Sequence, residues 1–274
     1  MARKKTAIVG CGYLGSALGC ALVSAGHDCV GTTTTESRAK TIEGFGGTAA
    51  IVRLAETKKL HKLLADRDTL FLTVAPNVAY SSYREVYLDG AQSLIRAVAD
   101  TAVQHIVYTS STSVYGQQDG GWVDELSPTI PETENGRLLL ETENALLAHG
   151  ESTKLIVTVL RLGGIYGPGR DPANRLAKST IRERTDGDRY VNLIHRDDAI
   201  SAMSVLLDRP YDGVLNLTDD RPTTRREYYD HLATDGILPI RWLPSEGLRR
   251  VGKRVRNDLV KRILDLRLKH PAHC

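Results

Sequence analysis

Short apolar runs alternate along the chain with stretches whose apolar positions recur at helical spacing. Thr6-Ala7-Ile8-Val9 predicts a buried strand, and residues 13–25 a helix that stops at Gly26. Strands are then expected at 29–33, 48–52, 69–74 and 105–109, with helices at 37–45, 57–65 and 83–101 between them. Pro76 ends the fourth strand, and Val86, Leu94, Ile95 and Val98 mark the long third intervening helix. A helix at 138–147 and a strand at 155–160 continue the rhythm, as do a helix at 197–207 and a strand at 214–217. Strands separated by helices imply a parallel, doubly wound α/β sheet with right-handed crossovers. Past Gly163 the pattern loosens. The expected division is a sheet domain over 1–165, rejoined by 196–217, and a small C-terminal substrate lobe made of 166–195 and 218–274.

Composition narrows the class. With 41% hydrophobic residues over 274 positions the chain can build a core, which excludes intrinsic disorder. Two phenylalanines make that core mostly aliphatic, as buried parallel strands require. Cys11, Cys20, Cys29 and Cys274 form no CxxC pair, and no histidine stands at ligand spacing. Neither a disulfide scaffold nor a metal site is expected, and a reducing, cytoplasmic location is. The apolar stretch at 6–25 is interrupted by Gly10, Gly12, Gly15 and Gly19. It therefore predicts a strand, turn and helix rather than a membrane span or signal peptide, despite the basic Arg3-Lys4-Lys5 before it. The net charge of +3 is uneven: residues 241–269 carry ten Lys/Arg against three acids. A solvated surface or an anionic metabolite accounts for that cluster better than nucleic acid, because no nucleic-acid-binding motif accompanies it.

Gly10-Cys11-Gly12-Tyr13-Leu14-Gly15 is a GxGxxG that follows a strand and opens a helix, the context that gives this motif meaning. The first glycine permits the tight turn, the second the approach of a pyrophosphate, and the third close helix–strand packing. The loop predicts a Rossmann-type dinucleotide site. NAD sites place an acidic residue at the end of the second strand to bind the ribose 2′-OH. Here that position is Thr33, and Thr33, Thr34 and Arg38 are candidates to hold a 2′-phosphate, so NADP is expected over NAD. Glu36, turned inward, would restore NAD. Ala75, Pro76, Thr109 and Ser110 complete the expected cofactor contacts.

Tyr108-Thr109-Ser110-Ser111-Thr112-Ser113-Val114-Tyr115-Gly116 resembles the serine segment of extended short-chain dehydrogenases/reductases, the NAD(P)-dependent epimerases and dehydratases of nucleotide sugars. The resemblance continues through residues 161–170, 192–198, 216–220 and 252–257, nearly end to end. It implies that Ser111 hydrogen-bonds the reacting substrate oxygen, with Tyr115 beside it as either a site residue or a packing one. It also implies a small anionic substrate, such as a nucleotide sugar, and a homodimer. Candidate substrate contacts are Arg137, Arg170, Asn192, Arg249 and Arg250.

One departure is decisive. The family's tyrosine and lysine lie four apart on the next helix, with a glutamate four residues further on. Anchored on Glu143, those positions are Asn135 and Leu139, which can neither donate a proton at a suitable pKa nor hold a ribose hydroxyl. The chain thus resembles an atypical branch of the family that carries a Gly-Arg in this helix. Arg137 is a candidate replacement group there. His195, Tyr80, Tyr83 and Tyr166 are weaker candidates for proton transfer, and His195 falls in a segment that is mainly structural in the family. Two functions remain open: an oxidoreductase or epimerase with a non-standard site, and a non-catalytic NADP-binding sensor or regulatory protein.

Overall fold

A computed structural model describes residues 2–76, 82–181, 183–233, 239–244 and 251–270. The chain divides into two compact units. The first comprises Met1–Ser111, Thr133–Leu160 and Ile200–Val214; the second comprises Thr112–Glu132, Arg161–Ala199 and Leu215–Cys274.

The first unit begins β1 (Lys5–Val9), α1 (Tyr13–Ser24), β2 (Asp28–Thr33), α2 (Glu36–Gly44), β3 (Thr48–Ile51), α3 (Thr57–Leu64) and β4 (Thr69–Leu72). A single π-helical turn, Glu85–Asp89, leads into α4 (Gly90–Val98), and β5 (His105–Ser111) follows. The unbroken helix expected over 83–101 is therefore a π turn joined to a shorter α-helix. Apolar spacing cannot register such a bulge, because it adds one residue per turn without changing which face is buried.

In the second unit β6 (Asp119–Val123) comes next in sequence. The chain then returns to the first unit through α5 (Glu134–Thr153) and β7 (Ile156–Leu162), whose last two residues already count with the second unit. The second unit resumes with β8 (Gly164–Tyr166), α6 (Pro172–Lys178), β9 (Glu183–Arg184), β10 (Tyr190–Val191), β11 (Leu193–His195) and the start of α7 (Arg196–Val205). After β12 (Gly213–Leu217) come β13 (Thr223–Thr224), α8 (Arg225–Leu232), β14 (Arg241–Trp242), β15 (Gly252–Val255) and α9 (Asp258–Leu264).

The central sheet runs β12-β7-β5-β4-β1-β2-β3, and the pairs β1–β2, β1–β4, β2–β3 and β4–β5 are all parallel. Its inner strands are buried on both faces: Ala7, Ile8, Leu70, Phe71, Ile106 and Val107 are fully inaccessible. This is the expected Rossmann-type doubly wound sheet, and each such side chain contributes about 1.5–3 kcal/mol by leaving water. α5 runs longer than its apolar pattern, from the Thr133 cap, whose hydroxyl accepts from Gly136 N at 3.1 Å, to Lys154 in the left-handed region at φ 65°.

The second unit is held by short ladders: β6 with β15 and β8 with β11, both parallel, β10 with β13 antiparallel, and β9 with β14 parallel. The β6–β15 pairing is why 119–123, expected in the sheet domain, groups with the later part of the chain. A small core of Leu176, Tyr228, Leu232 and Ile240 supports these ladders, with Val191, Leu193, Tyr229 and Trp242 packed against it. The Thr224–Glu227 capping box starts α8.

His105 opens β5 inside the core at 2% exposure, its Nε2 2.7 Å from Thr158 Oγ1 on β7. Burial pushes its pKa from 6.5 down to about 4. The unfolded chain therefore binds a proton that the folded one refuses, so this contribution to stability is complete above pH 6.5 and is lost as pH falls towards 4. His105→Gln keeps a polar partner for Thr158 and removes the titration. Denaturant midpoints measured from pH 7.5 to 4 are expected to fall less steeply in the variant, by up to about 1.4 kcal/mol per pH unit. Parallel curves for the two proteins would show that His105 does not set the acid limb.

Candidate cofactor and substrate sites

The turn between β1 and α1 is built by backbone approach. Gly10 has φ 101°, and a Cβ on it would stand 2.8 Å from Val74 N. Its N–H donates to Thr32 Oγ1 at 3.0 Å, and its carbonyl accepts from Thr73 Oγ1 at 2.8 Å. Cys11 N donates to the Thr32 carbonyl at 2.9 Å, which ties the loop to the end of β2. At Gly15 a Cβ would lie 2.4 Å from the Gly10 carbonyl oxygen. These two glycines are required by the fold itself.

Gly12 is different. A Cβ there meets nothing within 4 Å. It is the N-cap of α1, yet no side chain caps this helix end and no acidic residue stands in its first turn. The loop thus presents uncapped helical N–H groups and the positive end of the helix dipole to open space, the donor set a pyrophosphate needs. Tyr13 and Leu14 supply backbone at this end, while the Leu14 side chain is buried in the core.

At the end of β2, Thr33 is buried and its Oγ1 accepts a long contact from Thr35 N at 3.4 Å. Thr34, Glu36 and Arg38 are exposed in the following loop and first turn of α2. After β4, Ala75 is exposed and Pro76 half-buried. Thr109 is buried and donates to the Leu72 carbonyl at 3.2 Å. Ser110, expected as a cofactor contact, has its hydroxyl engaged elsewhere: it donates at 2.5 Å to Glu143 Oε1, on a glutamate with no exposed surface. Ser111, the last residue of β5, is half-buried. On α5, Asn135 and Arg137 are exposed and Leu139 is packed inside.

The second unit removes several expected roles. Tyr115 is 1% exposed; its hydroxyl donates to Asn216 Oδ1 and accepts from Arg161 Nη1, both at 2.9 Å. Burial raises its pKa, and with its hydroxyl engaged on both sides Tyr115 packs inside a polar network. Asn192, expected at the substrate, instead clamps β15: Nδ2 donates to the Lys253 carbonyl at 3.0 Å and Oδ1 accepts from Val255 N at 2.9 Å. Tyr166 is buried with its pKa raised to about 12. His195 Nδ1 accepts from Asp197 N at 3.2 Å at the start of α7, a structural role, and burial followed by the neighbouring His270 lowers its pKa. Tyr83 is half-buried beside Tyr87, and Arg170 is exposed in a turn closed by its own N–H to the Gly167 carbonyl. Arg249, Arg250, Tyr80 and Cys274 lie outside the described residues.

Three further groups were not among the expected site residues. Glu125 Oε1 accepts from Asn216 N at 2.7 Å, and burial raises its pKa. Lys253 Nζ donates to the Tyr115 carbonyl at 2.6 Å, and desolvation lowers its pKa to about 8. Asp219 is 2% exposed, with burial raising its pKa to about 8. The partners of Glu125 and Lys253 lie far away in sequence, so no local pattern marks those two contacts. The basic cluster is largely engaged as well: Arg241 pairs with Glu183, Lys261 with Asp220 and Arg256 with Asp258. Arg254 donates to the Gly120 carbonyl and stacks over Trp122 and Tyr190 at 4.9 and 5.2 Å. It lines a cleft of about 320 Å³ with Trp122, Tyr190, Arg221 and Thr224.

A parallel doubly wound sheet with an open glycine loop after its first strand defines a Rossmann-type dinucleotide-binding fold. The chain belongs to the NAD-dependent epimerase/dehydratase family, whose profile matches residues 7–217. It is 34% identical over 236 residues to protein YeeZ of Escherichia coli, covering 84% of this chain and 83% of that one. A 3-diazoavenalumate denitrifying reductase from a Streptomyces species is 27% identical over 199 residues, 68% of this chain and 63% of its own. Among solved structures, a conserved protein of unknown function from Silicibacter pomeroyi superposes with TM-score 0.78 at 27% identity, over 98% of this chain and 95% of that one. A UDP-glucose-4-epimerase from Stenotrophomonas maltophila, solved with NAD and formylated UDP-arabinopyranose, shares the fold. Its TM-score is 0.84 at 21% identity, over 99% of this chain and 95% of that one. No helix among the described residues is long and apolar enough to cross a membrane.

The contrast between the glycines is testable. Gly12→Val is expected to fold with an unchanged melting temperature and to lose dinucleotide binding by two orders of magnitude, about 2.7 kcal/mol. Gly15→Val, forced against the Gly10 carbonyl, is expected to lose the fold. Unchanged cofactor affinity in a folded Gly12→Val protein would refute the phosphate role of the loop.

Proposed function

We propose that this protein binds NADP in preference to NAD at the β1–α1 loop, and that it transforms a nucleotide sugar or another small anionic metabolite through a non-standard redox site. The observation that carries this reading is the loop itself: open space at Gly12 before an uncapped helix N-terminus. The backbone N–H groups of Tyr13 and Leu14 would hold the pyrophosphate, with Gly12 leaving the room for its approach. With threonine at position 33 and no carboxylate there to repel a 2′-phosphate, Thr34 and Arg38, both exposed, stand where that phosphate would be bound. When bound, the nicotinamide supplies a hydride acceptor or donor. Ser111 would orient the reacting substrate oxygen, in a strand end fixed by the Ser110–Glu143 hydrogen bond. With Asn135 and Leu139 at the family's tyrosine and lysine positions, the proton would leave through another group or a water molecule.

A second reading is favoured by the burial of the tyrosines. Tyr115 and Tyr166 are both enclosed with raised pKa values, which suits a protein that binds NADP without turning over a substrate and acts as a redox sensor or regulator.

A fluorescence titration of the purified protein with NADPH and NADH tests the cofactor assignment. Saturable binding of both, tighter for NADPH, is expected, and Thr33→Asp is expected to move the ratio towards NADH by about tenfold, or 1.4 kcal/mol. A ratio that does not move in Thr33→Asp refutes the specificity argument, and absence of binding in folded protein refutes the cofactor role. Single-turnover reduction of bound NADP+ by a panel of sugar nucleotides then separates the enzyme from the sensor.

A further inference from the structure

We propose that His195, Asp197 and His270 form a binding site for a borderline-soft divalent cation, zinc above all, which clips the segment after α9 to the start of α7. All three residues belong to the second unit. His195 ends β11, Asp197 is the second residue of α7, and His270 follows α9. One donor atom from each lies within 4.8 Å of the other two. The two imidazoles are stacked, with centroids 3.7 Å apart and planes inclined by 18°. A tetrahedral zinc ion holds its nitrogen and oxygen ligands at about 2.0–2.2 Å, and hence about 3.3–3.5 Å from one another. Binding would therefore draw the donors together by about 1.5 Å at most and turn the half-buried His270 ring out of the stack, so that an in-plane lone pair of each imidazole meets the ion.

The surroundings hold the backbone that carries the donors. Asp198, 1% exposed, accepts from Lys269 N at 2.8 Å and from His270 N at 3.0 Å, which holds the His270 backbone against the helix that carries Asp197. Tyr166 sets its ring edge-on to His195, with centroids 5.1 Å apart, and its hydroxyl donates to the His270 carbonyl at 3.4 Å. Gly167 covers the other side of the imidazole: a Cβ there would stand 2.9 Å from His195 Nε2. The Nδ1 side is left facing Asp197 Oδ2 at 4.0 Å. His270 Nδ1 is buried without a hydrogen-bond partner, 3.3 Å from Asp198 Oδ2. His195 Nδ1 receives the Asp197 N–H at 3.2 Å, a long contact that the cation would replace.

Two imidazole nitrogens with one carboxylate oxygen suit zinc, cobalt or nickel and are a poor set for magnesium or calcium, which take all-oxygen shells. Three protein ligands leave a fourth position for water. No ligand spacing in the sequence announces such a site, because the third donor is supplied by the far end of the chain. The site is independent of the cofactor reading.

The test uses the full chain carrying His273→Ala and Cys274→Ser, so that these two further potential ligands take no part. After treatment with a chelator and its removal, the protein is titrated with zinc chloride by calorimetry and with cobalt chloride by visible absorption. One saturable site of micromolar or tighter affinity and a raised melting temperature are expected. Asp197→Asn and His270→Ala are each expected to weaken zinc binding by about tenfold or more with an unchanged circular dichroism spectrum. Magnesium is expected not to compete. No saturable zinc binding, or affinity unchanged in both variants, overturns the proposal and leaves the two rings as stacked packing residues.

Discussion

A contact between two stretches of backbone decides where everything else in the first unit goes. The Gly10 carbonyl lies where the first atom of any side chain at position 15 would be, 2.4 Å away. Helix α1 can approach β1 only because that atom is absent, and the same close approach lets Thr73 and Thr32 bind the loop from neighbouring strands. Gly19 repeats the device one turn later, where a Cβ would meet the Phe45 ring at 2.7 Å. The glycines at 10, 15 and 19 thus serve packing, which separates them from Gly12, whose missing side chain leaves a space that the protein itself does not fill.

That separation shows how far a motif can be read without coordinates. GxGxxG, the preceding apolar run and the following helix were legible because each is a local pattern with its own period, and the parallel order followed from alternation. Strand ends were less so: β5 runs to Ser111 where apolar content suggested 109, since Ser110 is buried by pairing with Glu143 rather than by hydrophobicity. A polar residue that is satisfied internally looks like a loop residue in sequence.

The second unit was mostly illegible for a related reason. Several of its strands are two or three residues long, too short for any periodicity to declare itself. Its cohesion comes from polar side chains that reach backbone far along the chain. Asn192 grips β15, Lys253 holds the Tyr115 carbonyl, and Asn257 Nδ2 donates both to the Thr218 carbonyl and to Asp220. The family resemblance marked Asn192 and the Tyr115 segment as notable, but notable for a substrate. The geometry shows that the same residues hold a lobe with little apolar core, where a buried amide that lost its partners would cost about 1–3 kcal/mol. Residues kept for architecture and residues kept for chemistry carry the same side chains, and only their partners distinguish them.

The start of α5 sharpens the question of what this scaffold does with a proton. Leu138 and Leu139 are both buried, at 4% and 6% exposure, so this face of the helix has joined the core. A leucine buried there contributes about 1.5–3 kcal/mol, whereas a lysine at the same place would have to carry its ammonium out along an apolar surface. Asn135, two residues into the helix, faces solvent and carries no group that titrates near neutrality. On the reading proposed above, packing of Leu139 takes the place of the family's ribose-holding lysine and the exposed Asn135 that of its proton carrier, while the turn proposed to receive the dinucleotide has an open glycine. The two features lie on different elements and answer to different constraints, so on that reading a dinucleotide turn can stand without the helix dyad, with proton transfer assigned to another group or omitted from the function.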